Sequence, residues 1–169
     1  MTFVDSPSMR PPQEKVDVDC LEDKLGLWLR IAQRRFTENV NRNFARHKAN
    51  QLDFMLLDLL ERNAGCRLMS LAPHLQLKPP NLAKAVDDLV AREMITKVPD
   101  PVDRRANRLY ITEYGARFLS ELRHDYGVAH DQICQAIEPA AADELLRLLR
   151  RLAQAPVGRR DPMRRSDIY

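Results

Sequence analysis

Asp100-Pro101-Val102-Asp103-Arg104-Arg105 stands between a helix-turn-helix pattern and a short apolar strand, Leu109-Tyr110-Ile111. A loop joining two short strands projects from a compact domain. Two adjacent arginines at its tip suit a narrow minor groove, where phosphates on both walls concentrate negative potential. Asp103, two residues before Arg105, is placed to hold that guanidinium in a bidentate pair. The stretch reads as the wing of a DNA-binding domain.

Upstream, Leu52, Met55, Leu56, Leu59 and Leu60 define a helix over Gln51 to Glu61, closed by Asn63-Ala64-Gly65, where Gly65 suits a left-handed cap. Ser70 is a candidate cap for a short helix ending at Leu75. A turn at residues 76–78 leads to Pro79 and Pro80, which open a second helix running to about Glu93; prolines are tolerated in a first turn. In such a pair the second helix enters the major groove. Leu82, Val86, Leu89 and Val90 form its inward stripe, and Pro80, Asn81, Lys84, Ala85 and Asp88 its outward face. Asn81 can bond an adenine edge twice, Lys84 suits guanine or phosphate, and the prolines suit thymine methyl groups. The candidate DNA-binding residues are therefore Ser70, Pro79, Pro80, Asn81, Lys84, Asp103, Arg104 and Arg105. Lys78 to Arg108 holds seven basic residues against five acids, so placement rather than bulk charge carries the footprint.

Long amphipathic helices flank this module. One is expected from about Glu22 to His47, with Leu25, Trp28, Leu29, Ala32, Phe36, Val40 and Phe44 in helical steps. Thr112 is a plausible cap for another, striped by Phe118, Leu119, Leu122, Tyr126, Ala129, Ile133 and Ile137 and stopped by Pro139; a last one spans Ala140 to Ala153. So small a central module cannot bury all their apolar residues, which points to a homodimer with two reading heads. The expected fold is mainly α with a small β-hairpin wing: a winged helix-turn-helix at 51–112, dimerisation helices at 21–50 and 113–155, a flexible arm at 1–20 and a flexible basic tail at 156–169.

Composition agrees. The chain has 169 residues, 44% hydrophobic and 30% charged, with five glycines and 6% aromatics, which favours helices over a sandwich. No apolar run approaches the roughly 20 residues that span a bilayer. No basic segment followed by an apolar one opens the chain, so a cytoplasmic protein without a secretory leader is expected. Cys20, Cys66 and Cys134 are isolated, with no C-x-x-C spacing. His47, His74, His124 and His130 show no metal-ligand spacing, and there is no phosphate-binding glycine loop or G-x-S-x-G. No catalytic residue, metal or cofactor is expected. A coiled-coil adaptor is the rival class, but the proline-broken, strand-containing middle lacks its sustained heptads.

Residues 25 to 153 resemble the MarR family of bacterial winged-helix regulators. Asp100-Pro-Val-Asp-Arg-Arg followed by Leu109-Tyr-Ile-Thr-Glu-Tyr-Gly115 is similar to that family's wing and next helix, and Leu71-Ala72, Leu75, Leu77, Leu82, Val86-Asp87, Leu89 and Met94-Ile95 to its helix-turn-helix frame. The resemblance implies a dimer on a pseudo-palindromic operator in double-stranded DNA, usually a repressor, released by an anionic and often aromatic effector. Ala83 stands where the family often has a small hydroxyl residue, and Glu93 where a glycine is common. Glu93 must then accept the turn that glycine makes.

Two triggers suggest themselves. Arg30, Arg34, Glu38, Arg42 and Arg46 form an i, i+4 row, with Arg35 and Lys48 adding charge. Trp28, Phe36, Phe54 and Met55 are candidates for an aromatic wall. Together with Arg30, Arg34 and Arg35 they suit an aromatic acid or its coenzyme A thioester. The rival trigger is a thiol switch at Cys20, which Asp17, Asp19, Glu22 and Asp23 disfavour by repelling a thiolate.

Overall fold

A computed structural model of the chain describes residues 19–103 and 105–156, Pro139 by its backbone only. Arg104, most of the expected arm and nearly all of the basic tail lie outside the described residues. The elements run α1 (Leu25–Phe44), α2 (Gln51–Arg62), β1 (Cys66–Arg67), α3 (Leu68–Leu75), α4 (Pro79–Ala91), β2 (Ile95–Pro99), β3 (Asn107–Ile111), α5 (Glu113–Cys134) and α6 (Pro139–Gln154). Single 3-10 turns at Asp19–Leu21 and Ala45–His47 flank α1. The chain divides into two compact units, Met1–Arg35 and Phe36–Tyr169, with the boundary inside α1.

In the larger unit, three strands form an antiparallel sheet in the order β1-β3-β2. Ile95 faces Ile111, Lys97 faces Leu109 and Pro99 faces Asn107, while Cys66 and Arg67 face Leu109 and Arg108. The core gathers Val40, Phe44, Leu56, Leu57, Leu60, Leu71, Leu82, Val86, Leu89, Ile95, Leu109, Leu119 and Leu122, all almost fully buried. The apolar stripes of α2, α4 and α5 thus meet on one side of the hairpin.

Local chemistry explains most boundaries. Asn50 caps α2 by accepting from the N–H groups of Leu52 and Asp53, and Asp53 reaches back to the Asn50 N–H at 3.1 Å, a reciprocal capping box. Pro79 opens α4 as expected. Glu93 does take the left-handed turn (φ +59°), and the Glu93 and Met94 N–H groups close the end of α4 on Val90 and Leu89 carbonyls. Thr112 caps α5: its Oγ1 accepts from the Gly115 N–H at 2.9 Å and donates to the Glu93 carbonyl at 2.8 Å.

Four expectations are corrected. Ser70 does not cap α3; the helix begins at Leu68 with Arg67 in the cap position, because pairing of β1 with β3 fixes where the chain turns. Gly65 is left-handed (φ +77°), but α2 ends at Asn63 and Gly65 belongs to the turn into β1. Pro139 does not stop α5, which ends at Cys134; it is the first residue of α6, where its missing N–H costs nothing. α1 is shorter than Glu22 to His47, and its last expected turn is a separate 3-10 turn.

Candidate nucleic-acid interface

The outward face of α4 is built as its sequence requires. Pro79, Pro80, Asn81, Lys84 and Asp88 are exposed, while Leu82, Val86 and Leu89 are buried on the opposite side. Ala85, expected outward, is half-buried against the core. Ser70 is exposed in the first turn of α3. The Lys97 ammonium pairs with Asp87, tying β2 to α4.

The wing stands out from this body. Pro101, Val102 and Arg105 are exposed, Val102 at 84%. Asp103 does not hold the Arg105 guanidinium: its Oδ1 accepts the Arg105 backbone N–H at 3.1 Å. A two-residue separation favours this local turn over a bidentate pair with a long side chain. The Arg105 guanidinium makes no ion pair among the described residues.

The carboxylate that organises the wing is Asp100, only 1% exposed. Its Oδ1 accepts the N–H groups of Val102 (2.8 Å) and Asp103 (3.1 Å), and its Oδ2 accepts from Arg67 Nε at 2.9 Å. The buried Arg108 Nε lies 3.2 Å away as an ion pair without a well-aligned hydrogen bond. Arg108 Nη1 also donates to the Gly65 carbonyl at 3.2 Å. The Arg67 hydrogen bond first, then the Val102 amide, hold the Asp100 carboxyl far below the usual carboxylate range. A carboxyl depressed in the folded state contributes stability above its unfolded value, about 4, and loses it as pH falls toward the folded value. Asp100→Asn is therefore expected to lower the urea midpoint near neutrality and to narrow its gap to wild type between about pH 4 and pH 2. Parallel curves in that window would mean that Asp100 is not an anchor.

Sequence spacing missed a second buried carboxylate. Asp125 accepts from Arg46 Nε (3.0 Å) and Nη2 (2.5 Å) and lies 2.9 Å from His47 Nε2. Arg46 thereby leaves the i, i+4 row. Of the expected aromatic wall, Phe54 stacks on Tyr126 at 4.7 Å and Phe36 meets the edge of Tyr126 at 6.1 Å; Tyr126 is a member the sequence reading did not name. Met55 is exposed. In the smaller unit Trp28 is exposed and its Nε1 donates to the Glu22 carbonyl at 2.7 Å, and Arg30, Arg34 and Arg35 are exposed. Cys20 is exposed; Cys66 is half-buried, and burial pushes its thiol up, away from reactivity. Among the described residues no three His, Cys, Asp or Glu side chains gather as metal ligands, and no helix is long and apolar enough to cross a membrane.

The MarR family model matches residues 50–106, from the cap of α2 to the end of the wing loop. The HTH-type transcriptional regulator MhqR of Bacillus subtilis (strain 168) is 24% identical over 129 residues, which is 76% of this chain and 89% of MhqR. The solved transcriptional repressor CouR, bound to a 23-mer DNA duplex, matches with a TM-score of 0.78 at 26% identity, over 83% of this chain and 100% of CouR. The chain thus carries a MarR-family segment at residues 50–106 and is similar over most of its length to HTH-type transcriptional regulators. A mutant of MarR from E. coli, complexed with operator DNA, shares the fold with a TM-score of 0.74 at 18% identity, over 81% of this chain and 99% of that one. The matched residues include α4 and the wing, and the mainly helical fold with a three-stranded sheet is that of a winged helix.

Proposed function

We propose that the chain is a cytoplasmic MarR-family regulator, a homodimeric repressor of a pseudo-palindromic operator, released by a small anionic effector. One observation carries the DNA half of the reading. The outward face of α4 (Pro79, Pro80, Asn81, Lys84) and an exposed wing ending in Arg105 belong to one unit, with β2 tied to α4 through Lys97 and Asp87. A helix and a prong so joined suit adjacent major and minor grooves. Ser70 contacts the backbone in this reading, and Asp103 shapes the loop that presents Arg105.

The homodimer is supported by α6, none of whose described side chains is buried within its own chain. The effector class is an aromatic acid or its coenzyme A thioester. The Phe54–Tyr126 stack offers an aromatic surface for such a ligand.

The test is selection of duplexes from a random library, followed by titration. Selected sites should be pseudo-palindromes with half-sites about 10 bp apart. Asn81→Ala should relax one base position per half-site at a cost of about 1–3 kcal/mol there, while Arg105→Ala weakens every sequence. Adding an aromatic acid or its coenzyme A ester should release the selected duplex. Equal losses on selected and random DNA would remove Asn81 from base reading. Absence of salt-sensitive binding by the wild type would replace the repressor by the helical adaptor.

A further inference from the structure

Arg67 was absent from the expected interface, yet it lies at the wing's root. A cleft of about 360 Å³ opens between the start of α3 and the hairpin, lined among others by Arg67, Met69, Lys97, Asp103 and Arg105. Arg67 gives Asp100 only its Nε edge, at 2.9 Å. Its side chain is 43% exposed, and its two terminal nitrogens make no hydrogen bond among the described residues. A buried carboxylate behind a guanidinium fixes its direction and leaves its outer edge free to donate. Arg105 lines the same cleft, and its guanidinium makes no ion pair among the described residues. Lys97 adds positive charge, partly offset by Asp87, and one oxygen of Asp103 is occupied by the Arg105 amide. Exposed Met69 gives the cleft an apolar lip that suits the face of a deoxyribose.

We propose that Arg67 is a backbone-binding residue: with Arg105 it grips one DNA phosphate in the cleft between α3 and the wing, and Asp100 is the positioning residue that aims it. The inference rests on the DNA-binding reading and extends it. A phosphate held at the root fixes how deeply the wing enters the groove, without reading a base. Arg67 replaces the hydroxyl or carboxamide that usually caps a helix start, and α3 accordingly has no side-chain cap. The side chain that would have satisfied α3 is turned outward toward DNA instead.

The test is fluorescence anisotropy of the full chain on a labelled duplex of random sequence, from 50 to 200 mM salt. Each phosphate contact contributes about 0.9 to the slope of log K against log salt. Arg67→Gln should therefore lower that slope by about one, so the wild-type advantage shrinks about 3.5-fold across the range. The loss should be the same on every sequence, and Arg67→Lys should restore the slope. A merely structural Arg67 would lower the melting temperature and leave the slope alone, which overturns the proposal. If Arg67→Gln fails to fold, Arg67→Lys decides: bound duplex should shield the introduced amine from acetylation, and equal labelling with and without DNA overturns it. A wild type without any salt-dependent binding defeats the DNA reading and this inference together. A steep wild-type slope that Arg67→Gln retains defeats this inference alone.

Discussion

Gly115→Ala is expected to destabilise the fold by about 3 kcal/mol, near the upper end of overpacking costs. Gly115 is buried in the first turn of α5, directly after the Thr112 cap. A Cβ there would overlap the Met94 carbonyl oxygen and stand 3.0 Å from Ile111 Cγ1. The oxygen cannot swing aside as a side chain would. It accepts the Thr112 N–H at 3.0 Å and lies 3.2 Å from the Thr112 hydroxyl, so it is part of the junction where α4, β2 and α5 meet. Relief of the overlap must move β2 or tilt α5, and either shift disturbs the base of the wing. The urea midpoint should fall with little change in slope, and DNA binding should weaken in the fraction that remains folded. Gly127→Ala is the internal comparison. Gly127 also lies in α5, but nothing stands within 4 Å of its added Cβ. There the change should be neutral or stabilising by up to about 1 kcal/mol, through helix propensity. Equal outcomes for the two alanines would mean that the α5–β2 contact is not as close as described.

The same junction shows what a sequence can and cannot disclose. Pro79, Thr112 and Glu93 were legible because each acts on backbone within a few residues of itself. The apolar stripes of α4 and α5 were legible for the same reason, since helical period is a local property. Asn50 with Asp53 three residues on is an equally local signature that was passed over. By contrast, β1 is two residues long and has no pattern of its own; it exists because β3 lies beside it. Arg67 and Asp100 are 33 residues apart, and Arg46 and Asp125 are 79 apart. No spacing rule joins such pairs. Local reasoning therefore gave Asp103 the arginine-holding role that the fold assigns to Asp100, three residues earlier and buried. It located the wing and α4 but not the side chain that aims Arg67.

Leu148→Glu with Leu152→Glu is expected to split the proposed homodimer. α6 shows five leucines, Leu145, Leu146, Leu148, Leu149 and Leu152, exposed by 36% to 49% within one chain. Arg147, Arg150 and Arg151 interrupt them, and Glu144 pairs with Arg147 on the polar side. A leucine moved from water into an apolar interface contributes about 1.5–3 kcal/mol. The double substitution removes four leucines per dimer and places four carboxylates where they repel. Even if imperfect packing recovers only about half of the burial energy, roughly 4 kcal/mol is lost, about a thousandfold in the dimer dissociation constant. Sedimentation at micromolar concentration should then show a monomer where the wild type is a dimer. The chain's own core should be spared, because these leucines are not among its buried residues. Thermal unfolding of the monomeric variant should lose only the part of the wild-type stability that rises with protein concentration. DNA binding should fail in a particular way. Each head keeps α4 and the wing, so affinity for a single half-site persists, while the 10²–10⁴-fold gain from engaging two half-sites at once, roughly the range for linked modules, disappears. A variant that remains dimeric, or a monomer that retains full affinity for a two-half-site duplex, would show that α6 does not hold the two heads together.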